Sequence, residues 1–478
     1  MRTAQRIAKN SGVSFLAQVI SYILSFFFFM YTARYLGADD FGILSFALAL
    51  AAILGAFSDL GLRQITTREV ARDKSLAKKY LSNVVGMKII LVVIVSAGLV
   101  ILVSILNYPQ KTKYAVYLIG LSIVFTAFLQ MFYGLFQAHE KMEFEAIGNI
   151  LRNSLLLLIA ILIIAVKSSV LMFALSYSLI ELLILGYAVG IYLWKFGGMK
   201  LEADIDFWKA TLKHALPFGL TAVFGMINNW ISTVMLSAMK GDVVVGWYNA
   251  AYRIVSISLF IPGIFMAAIY PVMSIFFRSS PSSLRPSLEK SFKYLTILGI
   301  PIGIGTMLLA KRLILVIFGA EYTNSTIALQ ILAWSSVFIF MYNAFANLLN
   351  SINKQIIITK VMGICLGVNV VLNLILIPKY SLIGASIITA LTQLIALLFI
   401  FIWSSRIGYS VFRKVFANII AKVVISSASM GIFIIYFHNL TLLALIPSAA
   451  FLYFIMLYII GGIDKEDINL VTMVVRKK

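Results

Sequence analysis

The chain has one cysteine, Cys365, and three histidines, His139, His214 and His438. A single thiol excludes a disulfide framework and a cysteine-based metal site. The histidines are scattered near the ends of apolar runs, where they read as interfacial side chains rather than metal ligands. Charge is scarce: Asp, Glu, Lys and Arg make up 12% of the 478 residues, against 62% hydrophobic. A soluble domain carries about twice that charge, so a soluble enzyme, or a soluble protein on one anchor, is excluded. Long polar segments are absent as well. The longest loops, 61–83 and 195–214, hold no Gly-Lys-Ser/Thr phosphate-binding pattern. No Ser–His–Asp set, paired carboxylates or metal spacing stands out, so no cofactor and no metal is implied. Acid is the scarcer sign, with 18 Asp and Glu against 39 Lys and Arg, a net charge of +21. The basic excess lies between apolar runs, where membrane topology explains it without a nucleic-acid partner.

What is present is a series of apolar runs. Ser11–Tyr35 and Phe41–Leu60 flank a five-residue break, Leu36 to Asp40, and each is near the ~20 residues a helix needs to cross hydrocarbon. The runs are continuous rather than alternating, which predicts helices rather than a barrel. The first is too long for a signal-peptide core and has no small-residue cleavage site after it, so it is read as retained. Fourteen spans follow: 11–35, 41–60, 84–106, 114–138, 146–166, 171–194, 215–238, 245–275, 291–310, 326–350, 356–377, 382–404, 416–437 and 440–462. The eighth is overlong, and Pro262 and Pro271 predict a kink in it. With both termini in the cytoplasm, Lys and Arg are roughly fourfold richer on the inner side, which sets the orientation in the cytoplasmic membrane. Segment 200–213 has the pattern of an amphipathic helix lying at the inner surface.

The first hairpin has a degraded copy. Arg34, Gly37, Gly42 and Ala47 align with Ala238, Gly241, Gly246 and Ala251 at an offset of 204. Gln137 and Lys141 align with Asn350 and Lys354, and Lys167 and Glu181 with Lys379 and Gln393. Six spans per copy is an even number, so the copies enter the membrane in the same sense, as parallel repeats. The expected fold is an all-α polytopic membrane protein of 14 transmembrane helices. Residues 11–194 form an N-terminal lobe and 195–214 a cytoplasmic linker. Residues 215–404 form a C-terminal lobe, and spans 13–14 (416–462) have no copy. Two such bundles leave a central cleft that rocking opens to alternate sides.

Ionisable residues inside spans are costly and usually face a cavity or a partner. Arg34, Lys88, Arg152 and Arg253 are the cationic candidates and Glu181 the acidic one. Guanidinium forks suit phosphates and pyrophosphates, so the four cations predict an anion site. An ion pair of Arg152 or Arg253 with Glu181 is the structural alternative. Glu181 is also the candidate for coupling to H+ or Na+. Asn228, Asn229, Asn249, Asn343, Asn347, Asn369 and Asn373 either line a path for sugar hydroxyls or hydrogen-bond between helices. Asp59, closing span 2, is read as an anchor for Arg63 or Arg68.

Several of these tracts carry a family likeness. Asn10-Ser11, Ala33-Arg34-x-Leu36-Gly37-x4-Gly42, Asp59-Leu60-Gly61-Leu62 before Thr67-Arg68-Glu69, and Tyr133-Gly134-Leu135-Phe136-Gln137-Ala138 are the residues concerned. They resemble the polysaccharide-transport branch of the multidrug/oligosaccharidyl-lipid/polysaccharide exporter superfamily, the Wzx-like flippases. The resemblance implies fourteen helices in two six-helix lobes plus two, V-shaped around a cationic cavity. It also implies transfer of polyprenyl-phosphate- or pyrophosphate-linked glycans between leaflets, with membrane lipids as the surroundings. A cation-coupled multidrug antiporter is the alternative within the superfamily, and the cationic spans speak against it. A membrane glycan polymerase or ligase would show a large outer loop with catalytic groups, and the outer loops are short.

Overall fold

The computed structural model describes residues 3–198, 202–409 and 413–463, together with Asp467. Lys200 and Leu201, at the start of the predicted surface helix, lie outside the described residues. Among the described residues there are fourteen α-helices: α1 (Thr3–Asp59), α2 (Leu62–Arg72), α3 (Ala77–Ile105), α4 (Gln110–Ala138), α5 (Met142–Ala165), α6 (Val170–Phe196), α7 (Ile205–Lys240), α8 (Asp242–Ser258), α9 (Phe260–Ser279), α10 (Leu284–Ile317), α11 (Ser325–Ser351), α12 (Gln355–Arg406), α13 (Arg413–Tyr436) and α14 (Leu442–Ile459). No strand occurs among the described residues.

Twelve continuous helical stretches are long and apolar enough to cross a membrane. Two of them run 45 and 52 residues, Phe15–Asp59 and Gln355–Arg406, and each suffices for two crossings. Each is broken where the sequence predicts. Gly37 adopts φ 72°, ψ 177° within α1, a conformation open to glycine because it has no Cβ. Within α12 the break is at Ser381, φ 52° and ψ −132°, three residues after Pro378. Among the described residues the candidate stretches number twelve against the fourteen predicted spans, and the breaks at Gly37 and Ser381 fall where the sequence separates spans 1 from 2 and 11 from 12.

Two boundaries differ. The overlong eighth span divides into α8 and α9 at Leu259. Pro262 has no N–H to donate to the Ser258 carbonyl, and the Leu259 N–H instead reaches back three residues to the Ser256 carbonyl at 3.2 Å. The predicted surface helix and span 7 are one 36-residue helix, α7, continuous through Pro217. Asp204 starts it by accepting from the Phe207 N–H at 3.0 Å. Its first turn docks on α3, where Asn83 Oδ1 accepts from both the Asp204 N–H at 2.9 Å and Trp208 Nε1 at 3.0 Å.

Contacts group the chain into two compact units. One comprises Met1–Arg253, Ile317–Tyr322 and Met362–Ile388, and the other Ile254–Val316, Thr323–Val361 and Thr389–Lys478. In the first, α1 packs on α4, α5 and α7, while α4 packs on α6 and α2. Its core is aromatic, with Phe28, Phe41, Phe46, Tyr133, Phe136 and Phe173 all buried. In the second, α9 packs on α11 and α13 on α14. An apolar recess of about 390 Å³ there is walled by α10, α13 and α14.

Candidate functional site

A cavity of about 670 Å³ lies within the first unit. Residues of α1, α2, α4, α5, α6, α7 and α8 line it. About half of the wall is apolar, and the small residues Ala51, Ala52, Gly55, Ala56 and Ala127 leave the space open. The charged wall consists of Arg63, Arg152 and Arg253 against Asp59 and Glu181. The charges therefore sum to one net positive, in a volume of the size that ligand sites occupy.

Each charge is held differently. Arg152 on α5 forms an ion pair with Glu181 on α6 through Nε and Oε1. Glu181 is only 3% exposed, and its other oxygen, Oε2, is buried without a hydrogen-bond partner among the described residues. The Arg253 guanidinium lies over the Phe29 ring, 3.5 Å from its centroid, and 5.5 Å from that of Trp230. Such cation–π contacts give about 2 kcal/mol when desolvated. Stacking engages the face of a guanidinium, whereas phosphate recognition uses its N–H edge, so the two are compatible.

Arg63 falls in the predicted loop 61–83, yet it lines the cavity. Gly61, at φ 84°, turns the chain directly after α1, and α2 then packs along α4. Leu62, Ile65, Thr66 and Val70 form the buried stripe of α2, spaced as one helical face. Thr67 Oγ1 donates to the Gly134 carbonyl at 3.0 Å and fixes the approach. Arg63 is then tied to Gln130 and, at 2.8 Å, to Glu145 Oε1, whose Oε2 accepts from Gln137 Nε2 at 2.8 Å. The signal that could have found it is the Gly61-Leu62 turn, followed by an amphipathic rather than a fully polar segment.

The four predicted cations separate. Arg152 and Arg253 line the cavity, together with Glu181. Lys88 is fully buried and does not line it; its Nζ meets Asp59 Oδ1 at 2.6 Å. Asp59 also accepts from the Arg63 backbone N–H at 3.4 Å, so it anchors Arg63 as expected, but through the main chain. Arg34 is exposed beside the Gly37 break and donates through Nε to the Ile317 carbonyl at 2.8 Å, away from the cavity wall.

None of the seven predicted asparagines lines the cavity. Asn228 Nδ2 donates to the carbonyls of Phe224 and Met362, both at 3.0 Å. Asn249 accepts from Thr233 Oγ1 at 3.3 Å, and Asn373 bonds Ser232 at 3.2 Å and Asn369 at 2.7 Å. The bonds to Met362, Thr233 and Ser232 cross between helices and match the interhelical alternative, while those to Phe224 and Asn369 stay within one helix. Asn343 and Asn347 donate to carbonyls of their own helix, and Asn229 is exposed. The amides at the cavity are Gln64, Gln130 and Asn153.

Comparison with known proteins places this architecture. Capsular polysaccharide biosynthesis protein CapF of Staphylococcus aureus is 24% identical over 410 residues, covering 84% of this chain and all of CapF. The probable low-salt glycan biosynthesis flippase Agl15 of Haloferax volcanii is 22% identical, covering 81% of each chain. Among solved structures, lipid II flippase MurJ in an inward closed conformation superposes with a TM-score of 0.76 at 16% identity, covering 92% of this chain and 97% of MurJ. That likeness shows the fold: a multi-pass helical membrane protein. The MatE family profile matches residues 217–375, and the profile of the family described as polysaccharide biosynthesis protein matches residues 7–277, more than half of the sequence. The chain belongs to the polysaccharide biosynthesis protein family.

Proposed function

We propose that this protein is a flippase. It moves a polyprenyl-phosphate- or pyrophosphate-linked oligosaccharide from the inner to the outer leaflet of the cytoplasmic membrane by alternating access, for assembly of surface polysaccharide or another glycan. It acts as a transporter and not as an enzyme, with both termini cytoplasmic. Its repeats form lobes 11–194 and 215–404, joined by the linker 195–214, with residues 416–462 as an added helix pair.

The observation that carries this reading is the cavity wall, which sets three arginines against two carboxylates within membrane-crossing helices. An isolated phosphate cannot enter hydrocarbon without a penalty of order tens of kcal/mol, so its passage needs fixed cations and polar groups. Arg152 and Arg253 take the phosphate, and Gln64, Gln130 and Asn153 meet the sugar. Arg34 and Lys88 act from outside the wall, by holding the segments that bound it. Glu181 is the coupling group: a proton or Na+ at its carboxylate releases Arg152 to the phosphate. The polyprenyl tail stays in lipid throughout.

The experiment is reconstitution with a polyprenyl-pyrophosphate glycan, followed by periodate oxidation of the sugar exposed outside the vesicle. The protein should accelerate exposure of the inner-leaflet pool far beyond protein-free vesicles, and a rate equal to theirs overturns the proposal. The match of the MatE profile to residues 217–375 favours one second reading, a cation-coupled multidrug antiporter. Gradient-driven efflux of organic cations without glycan exposure would select it. In cells, deletion should leave lipid-linked glycan on the inner leaflet, whereas loss of a ligase leaves it outside.

A further inference from the structure

Two repeat-related glycines meet face to face in the first unit. A Cβ built on Gly42 would fall 3.0 Å from the Gly246 nitrogen and still closer to the Asp242 carbonyl. A Cβ on Gly246 would fall 3.1 Å from the Ala38 Cα and closer to the Ala38 carbonyl. Gly246 is the repeat copy of Gly42, and Asp242 is the copy of Ala38, both at the offset of 204. The contact therefore maps onto itself when the two hairpins are exchanged, as an isologous contact does. Both glycines are buried, and every atom in the way is backbone. No rotamer change could make room for a side chain.

The opposite end of the same helix repeats the device with different residues. Gly61 and Gly219 approach so closely that a Cβ on Gly61 would lie 2.6 Å from the Gly219 nitrogen, and one on Gly219 would lie 2.8 Å from the Leu60 Cα. Nineteen residues separate Gly42 from Gly61, about 28 Å at 1.5 Å per residue, close to the thickness of the hydrocarbon core. Between the two contacts lie Leu48, Ala51, Ala52, Gly55 and Asp59 on α1, and Ala222, Met226 and Trp230 on α7, all of them in the cavity wall. One further group ties the Gly42 end. Glu321 Oε1 accepts from the Ala38 N–H at 2.6 Å, and the Glu321 carbonyl accepts from Trp247 Nε1 at 3.1 Å. Glu321 thus holds the hairpin turn and its repeat copy together.

We infer that these glycine contacts are the two gates of the transport cycle. The Gly42–Gly246 contact, clamped by Glu321, seals the cavity toward the outer face, and the Gly61–Gly219 contact seals it toward the inner face. With both contacts made, as here, the two ends of the cavity wall are pinned, and alternating access proceeds by parting one contact at a time. Backbone-to-backbone apposition suits a gate, since it excludes water over a short seam without interlocking side chains that would have to repack at each opening. The inference rests on the transporter reading and on its orientation.

The test replaces the native thiol (Cys365→Ser) and places a reporter in the cavity wall (Ala52→Cys). Sealed vesicles of known orientation are treated with a membrane-impermeant maleimide. Gly42→Ala, Gly246→Ala and Glu321→Ala should each raise labelling from the outer side by about tenfold or more, as a two-state equilibrium responds when one state loses contacts. Gly219→Ala should raise labelling from the inner side instead. Gly98→Ala, whose added Cβ meets nothing within 4 Å, should change neither. Glu321→Ala introduces no steric clash, so it decides the matter if the glycine variants fail to reach the membrane. Unchanged outer labelling in Glu321→Ala, or outer labelling raised equally by Gly219→Ala, overturns the inference. As a second measurement, Asp39→Cys and Val243→Cys, repeat partners beside the seam, are joined by a flexible bis-maleimide. Crosslinking should stop transport, and full-rate transport by crosslinked protein also refutes the gate. Labelling is read without any glycan, so a gated protein that flips no glycan refutes the proposed substrate and leaves the gates standing.

Discussion

Lys88 and Asp59 form an ion pair at 2.6 Å between partners of unequal burial, with side chains 0% and 21% exposed. That asymmetry predicts unequal consequences of breaking it. Removing one member of a buried pair costs about 3–5 kcal/mol when the survivor is left as an uncompensated buried charge. Asp59→Asn does this, because the Lys88 ammonium is sealed in the helix packing. Lys88→Met leaves Asp59 at the cavity wall, within reach of cavity water and still accepting from the Arg63 N–H. Its cost should fall to about 1–2 kcal/mol. The double variant leaves neither charge and should return to within about 1 kcal/mol of the parent, since a buried pair is roughly neutral against an apolar replacement. The assay is the apparent unfolding midpoint of purified protein in detergent. The heating rate must be matched, because large membrane proteins unfold irreversibly. If Lys88→Met proves the more damaging, or the two losses simply add, then Lys88 is not buried behind Asp59 and the pair is misassigned.

The cavity arginines make separate claims. Arg152→Ala and Arg253→Ala should each slow glycan flipping about 10²-fold, the usual effect of deleting one fixed donor to an anion, with membrane abundance unchanged for Arg253→Ala and lowered for Arg152→Ala, which leaves the buried Glu181 carboxylate without its cation. Arg253→Lys should fall between the two, because an ammonium keeps the charge but loses the planar stack on Phe29. Equal rates for Arg253→Lys and the parent would contradict a role for that stack. Glu181→Gln removes the carboxylate that neutralises Arg152. It should tighten binding of the polyprenyl-pyrophosphate head and make flipping insensitive to an imposed pH or Na+ gradient. Retained gradient dependence in that variant would place the coupling group elsewhere.

The membrane-crossing segments were legible in the sequence because hydrocarbon thickness and helical rise leave little freedom in their length. The two breaks were also legible, since Gly37 accepts a positive φ and Pro378 interrupts the hydrogen-bond ladder just ahead of Ser381. The residue that parts α8 from α9 was not, and neither was the fusion of the predicted surface helix with span 7 into one helix. Prolines at 262 and 271 announce a disruption, but the turn falls at Leu259, ahead of the ring, where the missing N–H is felt.

The site was half legible, for a reason of geometry. Position along a span measures depth, and depth marks Arg152, Arg253 and Glu181, which line the cavity. Depth carries no information on which way a side chain turns about the helix axis, and that angle separates Arg253 from Lys88. Lys88 faces α1 because Asp59 is there, and Arg34 finds a carbonyl from a segment 283 residues away. Arg63 was invisible to depth altogether, since the chain turns at Gly61 and α2 packs along α4 and α7, which brings a post-span residue to the cavity wall. Counting charges by span also treated Glu181 as the one acid available to the buried cations. The fold supplies two, Asp59 for Lys88 and Glu181 for Arg152, while Arg253 rests on the faces of Phe29 and Trp230. A positive cavity survives this correction in weaker form: one net charge and not four. An arginine neutralised by a carboxylate can be handed to a phosphate when the carboxylate is neutralised in turn, whereas a cavity with four uncompensated cations would hold its anion too tightly to release it on the far side.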